Sequence, residues 1–312
     1  MKEVLVSCPM PSSFVLALEE LGFRVDYKPE MGNAEVREII ARYYGLIVST
    51  PIKVTPELID RAARLRFVGR AGSGMENIDV AYAEKKGIRC FNSPEGNSDA
   101  VAEHIIGMLL SCFDHLCRAH GEVVRGLWRR EENRGRELKG KCIGIIGYGN
   151  TGSALARKLA GFEMEILAYD KYKSGFASEH VNEVALPEIF RKSDIVSLHV
   201  PLTEETRFMA DRAFFQSFSK TVIVVNTSRG KVLDTEALLD AMDAGRVRGA
   251  CLDVLEREDI RPGIEKEISW WPRLIAQENL LITPHIAGWT SESKGKIASI
   301  LVEKIKMYGL HS

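Results

Sequence analysis

The stretch Lys141-Cys-Ile-Gly-Ile-Ile-Gly-Tyr-Gly-Asn-Thr-Gly-Ser153 decides the fold of this chain. A short apolar run, Cys142–Ile146, leads directly into three glycines, and an alternating apolar and polar segment follows them. In such a strand–turn–helix, Gly147 permits the tight turn, Gly149 lets the backbone approach a pyrophosphate, and Gly152 lets the helix pack closely on the strand. Free N–H groups at the helix start then face the phosphates. The stretch therefore predicts a dinucleotide-binding βαβ unit.

A second apolar run, Glu165–Tyr169, ends at an acidic residue, Asp170. A carboxylate at this position accepts hydrogen bonds from the ribose hydroxyls of a bound adenosine. Its charge also repels a 2′-phosphate, which favours NAD over NADP, although Lys171 and Lys173 weaken this preference. We therefore expect NAD as the cofactor.

Short β-rich runs alternate with amphipathic segments along most of the chain, and this rhythm restarts at Lys141. The predicted strands are Val4–Ser7, Phe23–Tyr27, Leu46–Ser49, Arg66–Val68, Ile88–Phe91, Cys142–Ile146, Glu165–Tyr169, Asp194–His199, Val222–Asn226, Ala250–Asp253 and Leu280–Ile282. Such alternation is typical of parallel sheets covered by helices. We therefore predict an α/β protein with two doubly wound domains.

Length, composition and charge limit the class of protein. The chain has 312 residues, 45% of them hydrophobic, with 42 Lys and Arg against 43 Asp and Glu. The length suggests about two domains, and the balanced charge argues against a nucleic-acid surface or a disordered chain. The first residues lack the apolar run of a signal peptide, and no run approaches the ~18 apolar residues of a membrane span. We expect a cytoplasmic enzyme with a small-molecule substrate and without nucleic-acid or membrane partners.

The cysteines and one cluster of possible ligands were weighed for metal binding. Most of the 6 cysteines lie in apolar patterns, as expected of small buried side chains in a reducing compartment. The cluster consists of Cys112, Asp114, His115, Cys117 and His120. It falls in a predicted helix of about twenty residues that starts at Asp99, and its members point in too many directions to hold one ion. No metal is expected.

Five segments, in this order, resemble the D-isomer-specific 2-hydroxyacid dehydrogenase family over nearly the whole chain. They are Val68–Asp79, Gly144–Gly152, Val225–Gly230, Leu252–Glu258 and Thr283–Gly288. The resemblance implies a Rossmann NAD-binding domain, residues 99–286, inserted into a flavodoxin-like substrate domain, residues 1–98 and 287–312. It also implies a homodimer that forms through the NAD-binding domain, for which the apolar helix Val101–Ala119 offers a surface.

The same resemblance implies a catalytic set of Arg229, Glu258 and His285. Reduction of a 2-keto acid needs a hydride from nicotinamide and a proton for the forming hydroxyl. A histidine suits the proton transfer, a neighbouring carboxylate favours its protonated form, and an arginine fork can hold carboxylate and carbonyl oxygens. Because Asp259 stands where the family often has proline, Glu256 remains open as an alternative partner of the histidine.

Contacts to the cofactor and the substrate are also implied. The cofactor contacts are Gly147, Gly149, Asn150, Thr151, Gly152, Asp170, Val200, Pro201, Thr206, Thr227, Ser228, Arg229, Asp253, His285 and Gly288. The substrate contacts are Arg70, Ser73, Gly74 and Trp289. Backbone N–H groups of the Ser73-Gly74 turn form a small anion nest. Trp289 walls the substrate pocket or covers the nicotinamide, or else packs against the terminal helix. His199 is interpreted as structural, and His104 and His115 are given no role.

The choice of substrate stays open. Arg70 and the segment Trp128–Arg130 are similar to phosphoglycerate dehydrogenases of the family, yet Val48-Ser-Thr50 replaces their usual Val-Arg-Ser. One cation for a phosphate is therefore missing. Candidates are 3-phosphoglycerate, glycerate or hydroxypyruvate, glyoxylate and lactate-type acids. The alternative function is an NAD(H)-sensing binding protein of the corepressor type without significant turnover.

The longest irregular stretch is Glu256–Asn279, which contains Trp270 and Trp271. Long loops in compact domains are often functional. The alternative is that the two tryptophans pack within the chain or form a subunit contact.

Overall fold

The computed structural model describes residues 1–309, so the last three residues of the predicted 287–312 range lie outside the described part. The chain forms two compact units. The first contains Met1–Ser98 and the chain from Trp289 onward, and the second contains Asp99–Gly288. The chain therefore returns to the first unit after Gly288.

The first unit is built on a five-stranded sheet in which every pairing is parallel. Its strands are β1 (Glu3–Val6), β2 (Arg24–Tyr27), β3 (Gly45–Val48), β4 (Phe67–Arg70) and β5 (Arg89–Phe91), in the order β2-β1-β3-β4-β5. Its helices are α1 (Ser12–Glu20), α2 (Asn33–Ile39), α3 (Pro56–Arg61), α4 (Val80–Lys85) and the C-terminal α12 (Ser291–Met307). This strand order is that of flavodoxin-like folds, as predicted.

Helices cover both faces of this sheet because successive strand residues point to opposite sides. Leu5 of β1 packs in one apolar cluster with residues of α2, α3 and α4. Its neighbours Val4 and Val6 pack in another, with residues of α1 and α12. The fully apolar strands of the sequence are therefore explained by burial on two sides.

The second unit is built on a seven-stranded parallel sheet. Its strands are β6 (Cys142–Ile146), β7 (Glu165–Tyr169), β8 (Asn182–Glu183), β9 (Ile195–Leu198), β10 (Val222–Asn226), β11 (Val247–Leu252) and β12 (Leu280–Ile282). The order β12-β11-β10-β9-β6-β7-β8 is the Rossmann order with one further strand at the edge. Helices α7 (Asn150–Leu159), α8 (Leu186–Lys192), α9 (Arg212–Gln216) and α10 (Thr235–Asp243) connect the strands. The two-residue β8 was not predicted, because it is too short to show a strand pattern.

The predicted single helix after Asp99 is wrong, because the chain forms two helices here. Helix α5 (Ser98–Phe113) ends before His115, whose φ of 52° lies in the left-handed region, and α6 (Leu116–Val124) follows. The carbonyl of Phe113 accepts a hydrogen bond from the N–H of Arg136 instead of continuing the helix. Leu116, which falls within the predicted apolar helix Val101–Ala119, is 54% exposed. The apolar stripe that faces the sheet therefore ends at Phe113.

Within residues 1–309, no single helix has the length and apolar character to cross a membrane. The pair α5 and α6 meets that test only when joined across its 60° bend, on length and composition alone.

The stretch Glu256–Asn279 is partly helical and packs on the second unit. It contains α11 (Trp271–Ile275), and both tryptophans pack against the apolar cluster that covers one face of the sheet. Arg273 also forms ion pairs with Asp240 and Asp243. These contacts favour the packing interpretation of Trp270 and Trp271 over that of a functional loop.

Candidate active site

The glycine turn between β6 and α7 has the geometry of a phosphate cradle. Gly147 has a φ of 95°, and a Cβ there would lie 2.5 Å from the carbonyl oxygen of His199. A Cβ on Gly152 would lie 2.2 Å from the carbonyl oxygen of Gly147, so helix and turn approach closely. At Gly149 a Cβ would meet no atom within 4 Å. The turn is tight on two sides and open at Gly149, next to Asn150 and Thr151 at the start of α7, which fits an approaching pyrophosphate.

Asp170 lies just after β7 and binds the glycine turn. Its Oδ2 accepts from the N–H of Tyr148 at 2.8 Å, and its Oδ1 accepts from the N–H groups of Tyr172 and Lys173 at 2.9 and 3.0 Å. A carboxylate offers about four acceptor positions. Three are thus used to fix the backbone, and the remaining one on Oδ2 can accept from a ribose hydroxyl.

The segment after β9 lies close beside the glycine turn. Val200 Cγ1 lies 3.2 Å from the position of a Cβ on Gly147. Thr206 Oγ1 donates to the carbonyl of Pro201 at 2.5 Å and accepts from the N–H of Thr203, which closes the following turn. His199 contacts Ser197 through Nε2 at 2.8 Å, and burial lowers the pKa of His199 to about 4. A neutral histidine tied to its own strand agrees with a structural role.

A buried asparagine shapes the turn that carries Arg229. Asn226, at the end of β10, accepts from the N–H and Oγ of Ser228 and donates from Nδ2 to the carbonyl of Arg229 at 3.0 Å. Arg229 is half-buried, and its Nη1 donates to the carbonyl of Ser228 at 2.7 Å. The buried Thr227 Oγ1 has no hydrogen-bond partner within residues 1–309. An orphaned hydroxyl at this edge of the sheet fits a bound cofactor that would supply its partner.

His285 and Glu258 form a hydrogen-bonded pair. His285 Nδ1 lies 2.8 Å from Glu258 Oε2, and the two side chains are 49% and 44% exposed. The hydrogen bond to Glu258 raises the pKa of His285 above its usual value, and burial opposes it. Glu256 points elsewhere, since its Oε1 accepts from the N–H of Thr235 at the start of α10. Of the two acidic candidates, Glu258 is therefore the one that contacts the histidine.

His285 sits on a strained turn that Asp253 holds. Its φ of 56° is left-handed, a conformation that destabilises a bulky residue by about 1–3 kcal/mol. Asp253 is 1% exposed. Its Oδ1 accepts from the N–H of Ile286 at 2.9 Å, and its Oδ2 from that of Ala287 at 2.8 Å. The N–H of His285 donates to the Asp253 carbonyl. These bonds fix the backbone that carries the imidazole, and Nε2 has no hydrogen-bond partner in the described chain.

Substituting Glu258 by glutamine is expected to move the alkaline limb of keto-acid reduction to lower pH. In the reaction that the resemblance implies, His285 gives its proton to the substrate, so activity would be present below the pKa of that group and lost above it. Glutamine removes the negative charge that raises this pKa. Because both side chains are half exposed, we take the low end for a charged hydrogen bond, about 1.5 kcal/mol, a roughly tenfold loss of kcat/KM at alkaline pH. A pH profile measures it, and an unchanged limb would contradict the pairing.

The predicted substrate residues of the first unit lie at and just after the carboxyl end of β4 and just before α12. Arg70 donates from Nη2 to Thr50 Oγ1 at 2.8 Å and from Nη1 to the carbonyl of Ala71. Ser73 donates from Oγ to Asn97 Oδ1 at 2.7 Å, and Gly74 follows it in the same turn. Trp289 is 84% exposed. It is therefore available to a ligand rather than packed against the terminal helix.

Three residues that support the second unit's site were missed at the sequence level: Asn226, Thr283 and His104. Asn226 follows an apolar strand and begins the segment Asn-Thr-Ser-Arg-Gly, so its position before a turn was a usable signal. Thr283 and His104 are far apart in sequence and meet only in the fold. No group of three or more His, Cys, Asp or Glu side chains within residues 1–309 is placed to hold a metal.

The chain is similar to known proteins over most of its length. The sequence profile described as "D-isomer specific 2-hydroxyacid dehydrogenase, NAD binding domain" matches residues 106–287. A hydroxypyruvate reductase of Thermotoga maritima is 38% identical over 87% of this chain and 86% of its own length. A D-3-phosphoglycerate dehydrogenase of Archaeoglobus fulgidus is 34% identical over 97% of this chain, which spans only 56% of that relative.

A solved structure is similar to this chain across both of its units. The crystal structure of D-lactate dehydrogenase from Aquifex aeolicus complexed with NAD and lactic acid is 29% identical, with a TM-score of 0.80 over 99% of this chain and 96% of that one.

Proposed function

Because the chain belongs to the D-isomer specific 2-hydroxyacid dehydrogenase family, we propose that it transfers a hydride between NAD(H) and a small D-2-hydroxy acid. The observation that carries this proposal is the His285–Glu258 pair beside Asp253, in a unit whose glycine turn fits a dinucleotide. The alternative of a binding protein without turnover is not favoured, because relatives across most of the chain are named as enzymes.

Residues of the second unit have different roles in the proposed reduction of the keto acid. When bound, NADH supplies the hydride that reduces the keto carbon. His285 Nε2 donates the proton to the carbonyl oxygen, so that keto acid, hydride and proton together give the hydroxy acid. Glu258 stabilises the imidazolium before transfer. Arg229 binds the carboxylate and carbonyl oxygens in its planar fork and polarises the carbonyl.

Asp253 and the glycine turn would hold the cofactor at its two ends. Of the acceptor positions on Asp253, Thr283, Ile286 and Ala287 occupy three, which leaves one on Oδ2 for the carboxamide of nicotinamide. Asn150, Thr151, Gly152 and Asp170 would hold the pyrophosphate and ribose. Further proposed cofactor contacts are Val200, Pro201, Thr206, Thr227, Ser228, Arg229, His285 and Gly288.

The first unit is proposed as the substrate domain. Arg70 and the N–H groups at Ser73 and Gly74 offer a cation and backbone donors for a carboxylate, and exposed Trp289 offers an apolar wall. Ser49 stands where a second cation for a phosphate is expected. We therefore propose an unphosphorylated acid, hydroxypyruvate or glyoxylate, ahead of a phosphorylated one.

A substrate panel tests the proposed activity. The purified chain is incubated with NADH and, separately, hydroxypyruvate, glyoxylate, pyruvate and the keto acid of 3-phosphoglycerate, and absorbance is followed. Turnover with the unphosphorylated acids is expected, and chiral analysis of the glycerate formed from hydroxypyruvate should give the D isomer. No turnover with any acid, together with tight NADH binding in calorimetry, would overturn the proposal in favour of a sensor.

We also propose a homodimer that forms through the second unit. Within the predicted range Val101–Ala119, Val101, Ile105, Met108 and Leu109 are buried within the unit, so we propose that only its last part, from Leu116, belongs to the surface. Apolar residues are exposed instead on α6 and the segment after it: Leu116, Val123, Val124, Leu127 and Trp128. Several exposed apolar side chains so close in sequence support a contact site on this segment. The balanced charge and the buried thiols of Cys8, Cys142 and Cys251 support the further proposal of a cytoplasmic protein without nucleic-acid or membrane partners.

Val124→Glu is expected to weaken self-association at least tenfold, because it places a charge in an apolar contact. Sedimentation at micromolar concentration measures this effect. Ile275→Glu is the matched control, since Ile275 is an exposed apolar residue at 56% on another surface of the same unit. A wild-type monomer, or equal association of both variants, would contradict the surface.

A further inference from the structure

A histidine outside the proposed catalytic set reaches the turn that carries His285. His104 lies on α5, and its Nε2 is 3.0 Å from Thr283 Oγ1. The Thr283 hydroxyl donates to Asp253 Oδ1 at 2.6 Å. A threonine hydroxyl has only one proton to donate. It must therefore accept from His104, which fixes the proton of that imidazole on Nε2.

The chain of hydrogen bonds continues from Asp253 into the backbone around His285. Asp253 accepts from Ile286 and Ala287, which follow the histidine, and the N–H of His285 donates to the Asp253 carbonyl. The left-handed backbone at His285 persists only where its surroundings hold it. Asp253 is buried, and the His104 side chain is 22% exposed. The donor on α5 thus reaches the turn that carries His285 through the buried carboxylate of Asp253.

We propose that His104 is a positioning residue for the reaction. By donating from Nε2 to Thr283, it keeps the threonine hydroxyl directed at Asp253, and this in turn keeps His285 within hydrogen-bond distance of Glu258. This inference rests on the proposed function. Without the donor, Thr283 is free to turn its hydroxyl away, and Asp253 loses one of the bonds that orient its carboxylate. The Ile286–Ala287 backbone then loosens, and with it the 2.8 Å contact between His285 and Glu258.

Two substitutions separate positioning from packing. His104→Leu removes the donor, and His104→Gln restores an N–H at a similar distance from the helix backbone. We expect H104L to lower kcat for keto-acid reduction about tenfold with little change in KM, and H104Q to recover most of it. His180→Leu is the matched control, because His180 is an exposed histidine of the same unit, and its Nε2 lies 4.0 Å from the neighbouring Glu179.

The pH profile is the second measurement, because loss of packing alone would not move it. The charged groups that face His285 are Glu258, Asp253 and Arg229, and the hydrogen bond to Glu258 raises the pKa of His285. Weaker pairing in H104L lowers that pKa, so the alkaline limb of kcat/KM moves to lower pH. A purely structural role would lower the melting temperature of H104L and leave the limb in place.

The outcomes decide the inference. The inference would be overturned if H104L kept the wild-type kcat and the wild-type alkaline limb of kcat/KM. It would also be overturned if H104Q folded normally and were as impaired as H104L. If H104L fails to fold, Thr283→Val and Thr283→Ser make the same comparison at the hydroxyl. NMR titration of the His285 imidazole in wild type and H104L needs no turnover. It therefore tests the positioning even if the substrate panel overturns the proposed activity.

Discussion

Substituting His285 by glutamine is expected to lower kcat for reduction of the 2-keto acid by about 10²- to 10⁴-fold, the usual contribution of a general acid. Glutamine fills similar space and can still pair with Glu258, but it has no proton to transfer. Its pH profile should lose the alkaline limb, because that limb reports deprotonation of His285. NADH affinity, measured by fluorescence titration, should change far less than kcat, since the glycine turn and Asp170 are untouched.

His180→Gln is the matched control for this prediction, as the same replacement at an exposed histidine of the same unit. It should keep wild-type kcat and the wild-type limb. An H285Q enzyme within threefold of wild type at neutral pH would show that another group supplies the proton. In that event the alkaline limb of H285Q would persist, and the His285–Glu258 pair would have only a structural role.

The strands and the cofactor site could be predicted because their signals are local. Three glycines after Cys142–Ile146 specify both the turn and the ligand, and the observed positions of Gly147 and Gly152 leave no room for a side chain. The expected family, α/β fold, enzyme class and NAD as cofactor are confirmed by the matched profile and the relatives. The order of the motifs was as informative as the motifs themselves, since it indicated that the sequence of one domain is inserted into that of the other.

The features that could not be predicted depend on contacts between distant segments. The break between α5 and α6 lies in a run whose apolar pattern continues through it, and the left-handed His115 and the pairing of Arg136 with Phe113 show where the helix ends. The left-handed His285 and its support by Asp253, Thr283 and His104 likewise have no local signature. A periodicity argument treats His104 as the edge of a buried helix, because it cannot show which side chain lies opposite.

Replacing Arg229 by alanine is expected to lower kcat/KM by about 30- to 5,000-fold, since loss of a hydrogen-bonded charge partner of a bound anion amounts to about 2–5 kcal/mol. We expect kcat to fall and KM to rise, because the Arg229 guanidinium is proposed to bind the carboxylate in the ground state and the carbonyl oxygen as charge develops. Arg229→Lys should recover only part of the loss, because a lysine keeps the charge but cannot form the planar two-donor contact.

Two comparisons make the Arg229 prediction decisive. Arg246→Ala removes an exposed arginine from the same unit and should leave kcat/KM within about twofold, which controls for net charge. The Asn226 contacts to Ser228 and to the Arg229 carbonyl do not involve the guanidinium, so R229A should keep the turn and the melting temperature nearly unchanged. A folded R229A with wild-type kcat/KM would remove the anion-binding role, and an R229K equal to wild type would show that charge alone is needed there. A loss confined to KM would instead assign Arg229 to ground-state binding of the carboxylate, with carbonyl polarisation left to His285.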